Sequence, residues 1–118
     1  FGLAGGGVYD WALYDSHYTE RYMDTPQSNP EGYKHSAVTG KASLYRDNDG
    51  AILYLTHGTG DDNVHLQNTM QLIDALQKEG KHFELMLYPG GMHGYRGYQN
   101  DHANNEELMF WRRTLLDK

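Results

Sequence analysis

Two short stretches of this sequence carry the residue types that proton-transfer chemistry needs. The first, HGTGDDNVH from His57 to His65, sets two carboxylates, an amide and two imidazoles among glycines. The second, PGGMHGY from Pro89 to Tyr95, presents His93 in a glycine-rich loop. A histidine takes a proton from a hydroxyl near neutral pH and returns it later. It does so efficiently when a carboxylate on its other ring nitrogen fixes the tautomer and stabilises the imidazolium. The Asp61–Asp62 pair and His93 are therefore the candidate acid and base. The same pattern allows Asp61 simply to cap the helix that follows, as Asp and Asn often do.

A second chemistry has to be weighed at the same residues. His57, Asp61, His65 and His93 offer nitrogen and oxygen ligands of a kind zinc accepts. However, Asp61 to His65 spans a helix start while His57 is still leaving a strand, so the four side chains are not expected to converge. No metal site and no cofactor are expected. His57 is expected to pack or to bond backbone, and His65 and His102 to lie at the surface or behind the site.

The elements that would position these groups follow from the pattern of apolar residues. AILYLTHG, from Ala51 to Gly58, does not alternate and reads as a fully buried strand, and HFELMLY, from His82 to Tyr88, reads as another. Between them, Asp62 or Asn63 can cap a helix running to about Glu79. Its predicted inner stripe is Leu66, Met70, Ile73 and Leu76, and Gly80 stops it. Phe1 to Val8 is expected to be the remains of a strand weakened by Gly5-Gly6-Gly7. Tyr14 to Met23 forms a helical turn or two whose tyrosines at 14, 18 and 22 share one face. Pro30 can open a short helix, and Asn104 to about Leu116 reads as an amphipathic helix with Leu108, Trp111 and Leu115 inward. Strands alternating with helices predict an α/β fold with parallel strands and helical crossovers.

Bulk composition narrows the partners. A net charge of −6 argues against a surface built for phosphate backbones, so nucleic acid is not an expected partner. A mean hydropathy of −0.80 is polar for a self-sufficient globule, but 10 tyrosines and 2 tryptophans argue against disorder. The chain has no cysteine, which removes disulfides and thiolate metal sites. No apolar run approaches the roughly 20 residues that span a bilayer. A sheet of about three parallel strands is small for this architecture, so the chain is expected to be a piece of something longer. Its exposed strand edge and apolar face predict self-association into a homo-oligomer.

In open α/β sheets the working groups sit beyond the carboxyl ends of the strands. An acid after one strand and a histidine after the next is the chain order of the α/β-hydrolase triad, Ser…Asp…His. The nucleophile has no counterpart here: there is no G-x-S-x-G, and Ser16, Ser28, Ser36 and Ser43 sit in no strand–turn–helix elbow. The serine is expected upstream of Phe1, and this chain alone is expected to be inactive. The alternative is a hydrolase relative that has lost its serine and serves as an interaction domain.

WALYDSHYTERYM (Trp11 to Met23) and HGTGDDNVHLQ (His57 to Gln67), with His93-Gly94 downstream, resemble the prolyl oligopeptidase family of serine peptidases, specifically the C-terminal part of the α/β-hydrolase domain in its dipeptidyl peptidase IV-like branch. ERYMDTPQSNPEGY is also similar to the bacterial prolyl tripeptidyl branch. The resemblance implies that Asp61 is the triad acid and His93 the base. It implies that Asn63 hydrogen-bonds substrate near the carbonyl of its penultimate residue. Tyr14, Tyr18, Trp11, Val8 and Val64 would wall a pocket for proline, whose compact, rigid ring suits an aromatic-lined site. The implied partners are proline-containing peptides and the remaining N-terminal part of the parent protein, which would carry the serine and a β-propeller. By the same resemblance the location would be bacterial and periplasmic or otherwise extracytoplasmic.

Overall fold

A computed structural model describes residues 1–116. Three strands, β1 (Gly2–Gly5), β2 (Leu53–Gly58) and β3 (Glu84–Tyr88), form one sheet in the order β1-β2-β3. Both pairings are parallel, with Gly2 opposite Leu53 and Tyr54 opposite Glu84. Parallel neighbours need crossovers, and the chain supplies them. Helices α1 (Ser16–Met23) and α2 (Pro30–Ser36), with short 3₁₀ turns, join β1 to β2. Helix α3 (Gln67–Lys78) joins β2 to β3, and α4 (Tyr98–Trp111) follows β3 and runs into a π-helical turn, Arg112–Leu116. The α/β fold predicted from the order of elements is the fold observed. Among the described residues no helix is long and apolar enough to cross a membrane.

The main core lies between the sheet and α3, where Tyr9, Ala42, Leu55, Leu72, Ile73 and Leu76 cluster and Phe83 and Leu85 pack against them. Helix α3 starts at Gln67, later than Asp62, and Leu66 at its cap position makes no side-chain cap bond. A missing cap costs about 1 kcal/mol, whereas each fully buried Leu or Ile contributes about 1.5–3 kcal/mol, so packing wins. The buried stripe is Thr69, Leu72, Ile73 and Leu76. Met70, expected inward, is 41% exposed, and its place is taken by the polar pair Asn68 and Thr69, each at 0%.

Three other expectations need correction. Strand β1 ends at Gly5, not Val8, because Gly6 turns the chain with φ +55°. Helix α4 begins at Tyr98, after Gly97 with φ +59°, rather than at Asn104. Its buried residue is Phe110 at 1%, 5.4 Å from the ring of Tyr54 on β2, and Thr114 in the π-helical turn that follows is 3% exposed. At 3.6 residues per turn, position 108 lies about 160° around α4 from 110 and turns outward. Leu108 is accordingly 67% exposed, Leu115 is 54% exposed, and Trp111 is half-buried. At α2 the expectation holds: Asn29 accepts from the Gly32 N–H at 3.1 Å, with Pro30 in the first turn.

Candidate active site

Because β2 and β3 are parallel and in register, their carboxyl ends, Gly58 and Tyr88, leave the sheet side by side. The two exit loops touch backbone to backbone. A Cβ on Gly58 would lie 2.2 Å from the carbonyl oxygen of Gly91, and one on Gly60 would lie 2.9 Å from that of Gly90. Hydrogen bonds join the loops: Thr59 N–H to the Tyr88 carbonyl at 3.0 Å, and Gly60 N–H to the Gly91 carbonyl at 2.9 Å. The Gly90 N–H also donates to Thr59 Oγ1 at 2.7 Å. Only glycine lets two strand exits approach this closely.

That junction brings the candidate acid and base together. Asp61 Oδ2 lies 3.0 Å from His93 Nδ1. The other oxygen, Oδ1, accepts from the backbone N–H groups of Asn63 at 3.0 Å and Val64 at 2.8 Å. The two readings of Asp61 thus coexist in one side chain. One oxygen organises a turn, as Asp commonly does in loops, and the other faces the imidazole. Asp62 is exposed, so the geometry singles out Asp61 from the pair.

A carboxylate only accepts, so His93 Nδ1 carries the hydrogen and Nε2 keeps its lone pair on the side away from Asp61. His93 lines an open cleft of about 460 Å³ together with Asp62, Asn63, Met92, Gly94, Tyr95 and Arg96. The Asp61 side chain is 1% exposed while that of His93 is 47% exposed. The candidate acid is sealed and the candidate base is reachable.

The sealed carboxylate remains the stronger acid. Burial alone would raise its pKa. The Val64 N–H, the His93 hydrogen bond and the Asn63 N–H outweigh burial and hold it below the ordinary 3.8. A carboxyl whose pKa is depressed on folding stabilises the fold above the unfolded value. That contribution disappears as pH falls through the folded value. Stability measured by denaturant unfolding should therefore fall as the pH drops below 3.8, and Asp61→Asn should flatten that fall. An Asn variant with the wild-type acid profile would show that Asp61 is not the group responsible.

Two more residues shape the pair. A Cβ on Gly6 would sit 3.2 Å from His93 Nδ1 and 3.5 Å from Asp61 Oδ2, so the turn after β1 packs directly against the dyad. Tyr95, two residues past the base, donates to Thr56 Oγ1 at 3.2 Å and rests its ring 4.5 Å from that of Tyr88. This ties the otherwise exposed His93 loop to the sheet. Sequence reasoning missed both. The positive-φ turn of Gly6 had a signal in the triple glycine, but its spatial neighbours had none.

The aromatic residues gather beside this pair. Trp11 meets Tyr14 edge-on at 5.6 Å and stacks with Tyr18 at 6.3 Å, and Tyr14 and Tyr18 meet at 5.5 Å. Tyr14 precedes α1, whose N-cap is Asp15, so the four-residue spacing is not that of one continuous helix face. Tyr18 is 47% exposed and Trp11 and Tyr14 are half-buried, so none of the three rings is fully enclosed in a core. The cluster is tied to the acid's loop by Tyr14, whose hydroxyl donates to Asn63 Oδ1 at 2.6 Å. Val64 is buried in that loop and Val8 is half-buried past Gly6. Tyr9, passed over in the sequence, is the core residue here, and its N–H reaches Asn68 Oδ1 at 3.3 Å. His57 approaches Asp61 Oδ2 at 3.5 Å, but its shorter contacts lie elsewhere. Its two nitrogens contact Thr69 Oγ1 and the Val64 carbonyl, while His65 is exposed.

Comparison with known proteins places this geometry in context. A sequence model of the prolyl oligopeptidase family matches residues 1–118. The protein named probable dipeptidyl-aminopeptidase B in Talaromyces marneffei is 46% identical over 98% of this chain, and its namesake in Coccidioides posadasii is 42% identical over 94%. The chain spans only 13% and 12% of those relatives' lengths. Among solved structures, the dipeptidyl peptidase 4 of Porphyromonas gingivalis superposes with a TM-score of 0.90 at 38% identity. A Bacteroides ovatus protein assigned as a dipeptidyl aminopeptidase IV gives 0.90 at 33%. Each match covers 97% of this chain and 16% of the solved one.

Proposed function

The chain belongs to the prolyl oligopeptidase family, and from that premise we propose that it supplies the acid and base of a serine exopeptidase releasing dipeptides or tripeptides after proline. The observation that carries this reading is the 3.0 Å contact between Asp61 Oδ2 and His93 Nδ1 beyond the carboxyl ends of neighbouring parallel strands. In the proposed reaction a serine on the remainder of a longer polypeptide gives its proton to His93 Nε2 as it attacks the peptide carbonyl. Asp61 stabilises the imidazolium, and His93 returns the proton to the leaving amine; water, deprotonated by the same nitrogen, then cleaves the serine ester, the proton returns to the serine oxygen and the peptide is freed. The chain alone would bind no nucleophile and turn nothing over.

Within the same reading, Tyr14, Tyr18, Trp11, Val64 and Val8 wall the proline pocket, and Asn63 holds the penultimate carbonyl. The Tyr14–Asn63 hydrogen bond supports this, since it leaves the Asn63 amide N–H₂ to donate to a substrate carbonyl. Losing that orientation should weaken binding more than chemistry. Tyr14→Phe in the longer polypeptide is expected to raise KM for a glycyl-prolyl chromogenic substrate by about 5- to 10-fold, the scale of one net hydrogen bond, with kcat within about threefold. The decisive measurement for the function itself is hydrolysis of that substrate by the longer polypeptide. No turnover of any N-terminal Xaa-Pro or Xaa-Xaa-Pro peptide would remove the proposal.

A further inference from the structure

His57 is a buried titratable side chain that the proposed reaction leaves unused. It closes β2 with its side chain wholly shielded from solvent. Its Nε2 lies 2.6 Å from the Val64 carbonyl oxygen and 3.5 Å from Asp61 Oδ2, and its Nδ1 lies 2.7 Å from Thr69 Oγ1 on α3. A carbonyl only accepts, so Nε2 carries the hydrogen and donates it. The Thr69 hydroxyl can then donate to Nδ1, and the ring is satisfied while neutral.

Val64 is consequently gripped at both ends of one residue. Its N–H donates to Asp61 Oδ1 at 2.8 Å, and its carbonyl accepts from His57. The imidazole reaches from the end of the strand to the far end of the loop, and so closes the loop from 57 to 64 into a ring. The same Nε2 borders Asp61 Oδ2, the oxygen that faces His93. We propose that His57 is a positioning residue: it fixes the rotation of the Asp61 carboxyl, through Val64, so that Oδ2 points at His93. This rests on the reading of Asp61 and His93 as acid and base.

Two shortened imidazole substitutes separate this role from plain packing. His57→Gln keeps an amide N–H near the position of Nε2, where it can still reach the Val64 carbonyl. His57→Asn keeps polarity only near the position of Nδ1, against Thr69. Each variant is made in the longer polypeptide and compared with wild type and Asp61→Asn. The readouts are kcat and KM for a glycyl-prolyl substrate, with thermal unfolding measured alongside. His57→Asn is expected to lower kcat by about 10- to 100-fold, the scale of an ångström-level misplacement, with KM within about twofold. His57→Gln should recover kcat to within about fivefold of wild type, with cooperative unfolding in both. The proposal is overturned by any of four results: wild-type kcat in the Asn variant, an equal fall in both variants, a change confined to KM, or lost cooperative unfolding. Full activity of Asp61→Asn would instead overturn the acid–base reading on which the proposal stands.

Discussion

Asp61→Asn, in the longer polypeptide, is expected to lower kcat on the order of 10⁴-fold while KM stays within about threefold. The reason lies in the two N–H groups on Oδ1. An asparagine keeps its carbonyl oxygen toward the Asn63 and Val64 N–H groups, because the opposite flip would set an amide N–H₂ against two donors. Its N–H₂ then occupies the position of Oδ2 and donates to His93 Nδ1. That forces the hydrogen onto Nε2, leaving no lone pair to take a proton from the serine. The site would keep its shape and lose its base. Steady-state kinetics on a prolyl substrate make the check, and a loss of less than tenfold would contradict the assigned tautomer.

The second large effect falls at a residue with no functional group. Gly58→Ala would place a methyl 2.2 Å from the Gly91 carbonyl oxygen, 2.5 Å from its carbonyl carbon and 2.7 Å from the Met92 carbonyl oxygen. These are backbone atoms, so no rotamer change relieves the clash and the two strand exits must separate. Overpacking of this kind costs about 1–3 kcal/mol and occasionally more, and here the upper end is expected. The shift acts on the two loops that carry Asp61 and His93. A displacement of about 1 Å should lower kcat roughly 100-fold on top of the lost stability. Thermal unfolding with kinetics on the folded fraction separates the two effects. A variant that melts and turns over like wild type would show that the exits are not held by this contact.

How much of this was legible in the sequence depended on whether a signal was local. The strands, observed at Leu53–Gly58 and Glu84–Tyr88 within the expected AILYLTHG and HFELMLY, and the Pro30 helix start all reside in short windows, as does the order Asp-then-His. The inner face of α4 departs from the apolar stripe Leu108, Trp111 and Leu115, a good one by spacing, because the sheet offers the Tyr54 ring to Phe110. Hydrophobic spacing ranks faces but cannot tell which one finds a surface. Helix α3 was predicted to start too early because Asp62 and Asn63 have the right chemistry for a cap. Asp61 had already drawn their neighbourhood into its own turn. The close contacts of Gly6, Gly58 and Gly91 are long-range, and nothing in a single sequence announces them.

The Asp61–His93 pair is assembled within residues 53 to 95, whereas Tyr14, Tyr18 and Trp11 belong to the separate excursion between β1 and β2. The excursion packs on α3 through Tyr9 and Ala42 in the main core, and it bonds the second segment through Tyr14 to Asn63 and Tyr9 to Asn68. On the proposed reading, the aromatic wall of the proline pocket and the acid–base pair sit on different stretches of chain, with Asn63 and Val64 joining them. On that reading, changes confined to the aromatic part of the excursion would retune which residue is accepted while Asp61 and His93 stay on their own segment, a division of labour that favours diversification.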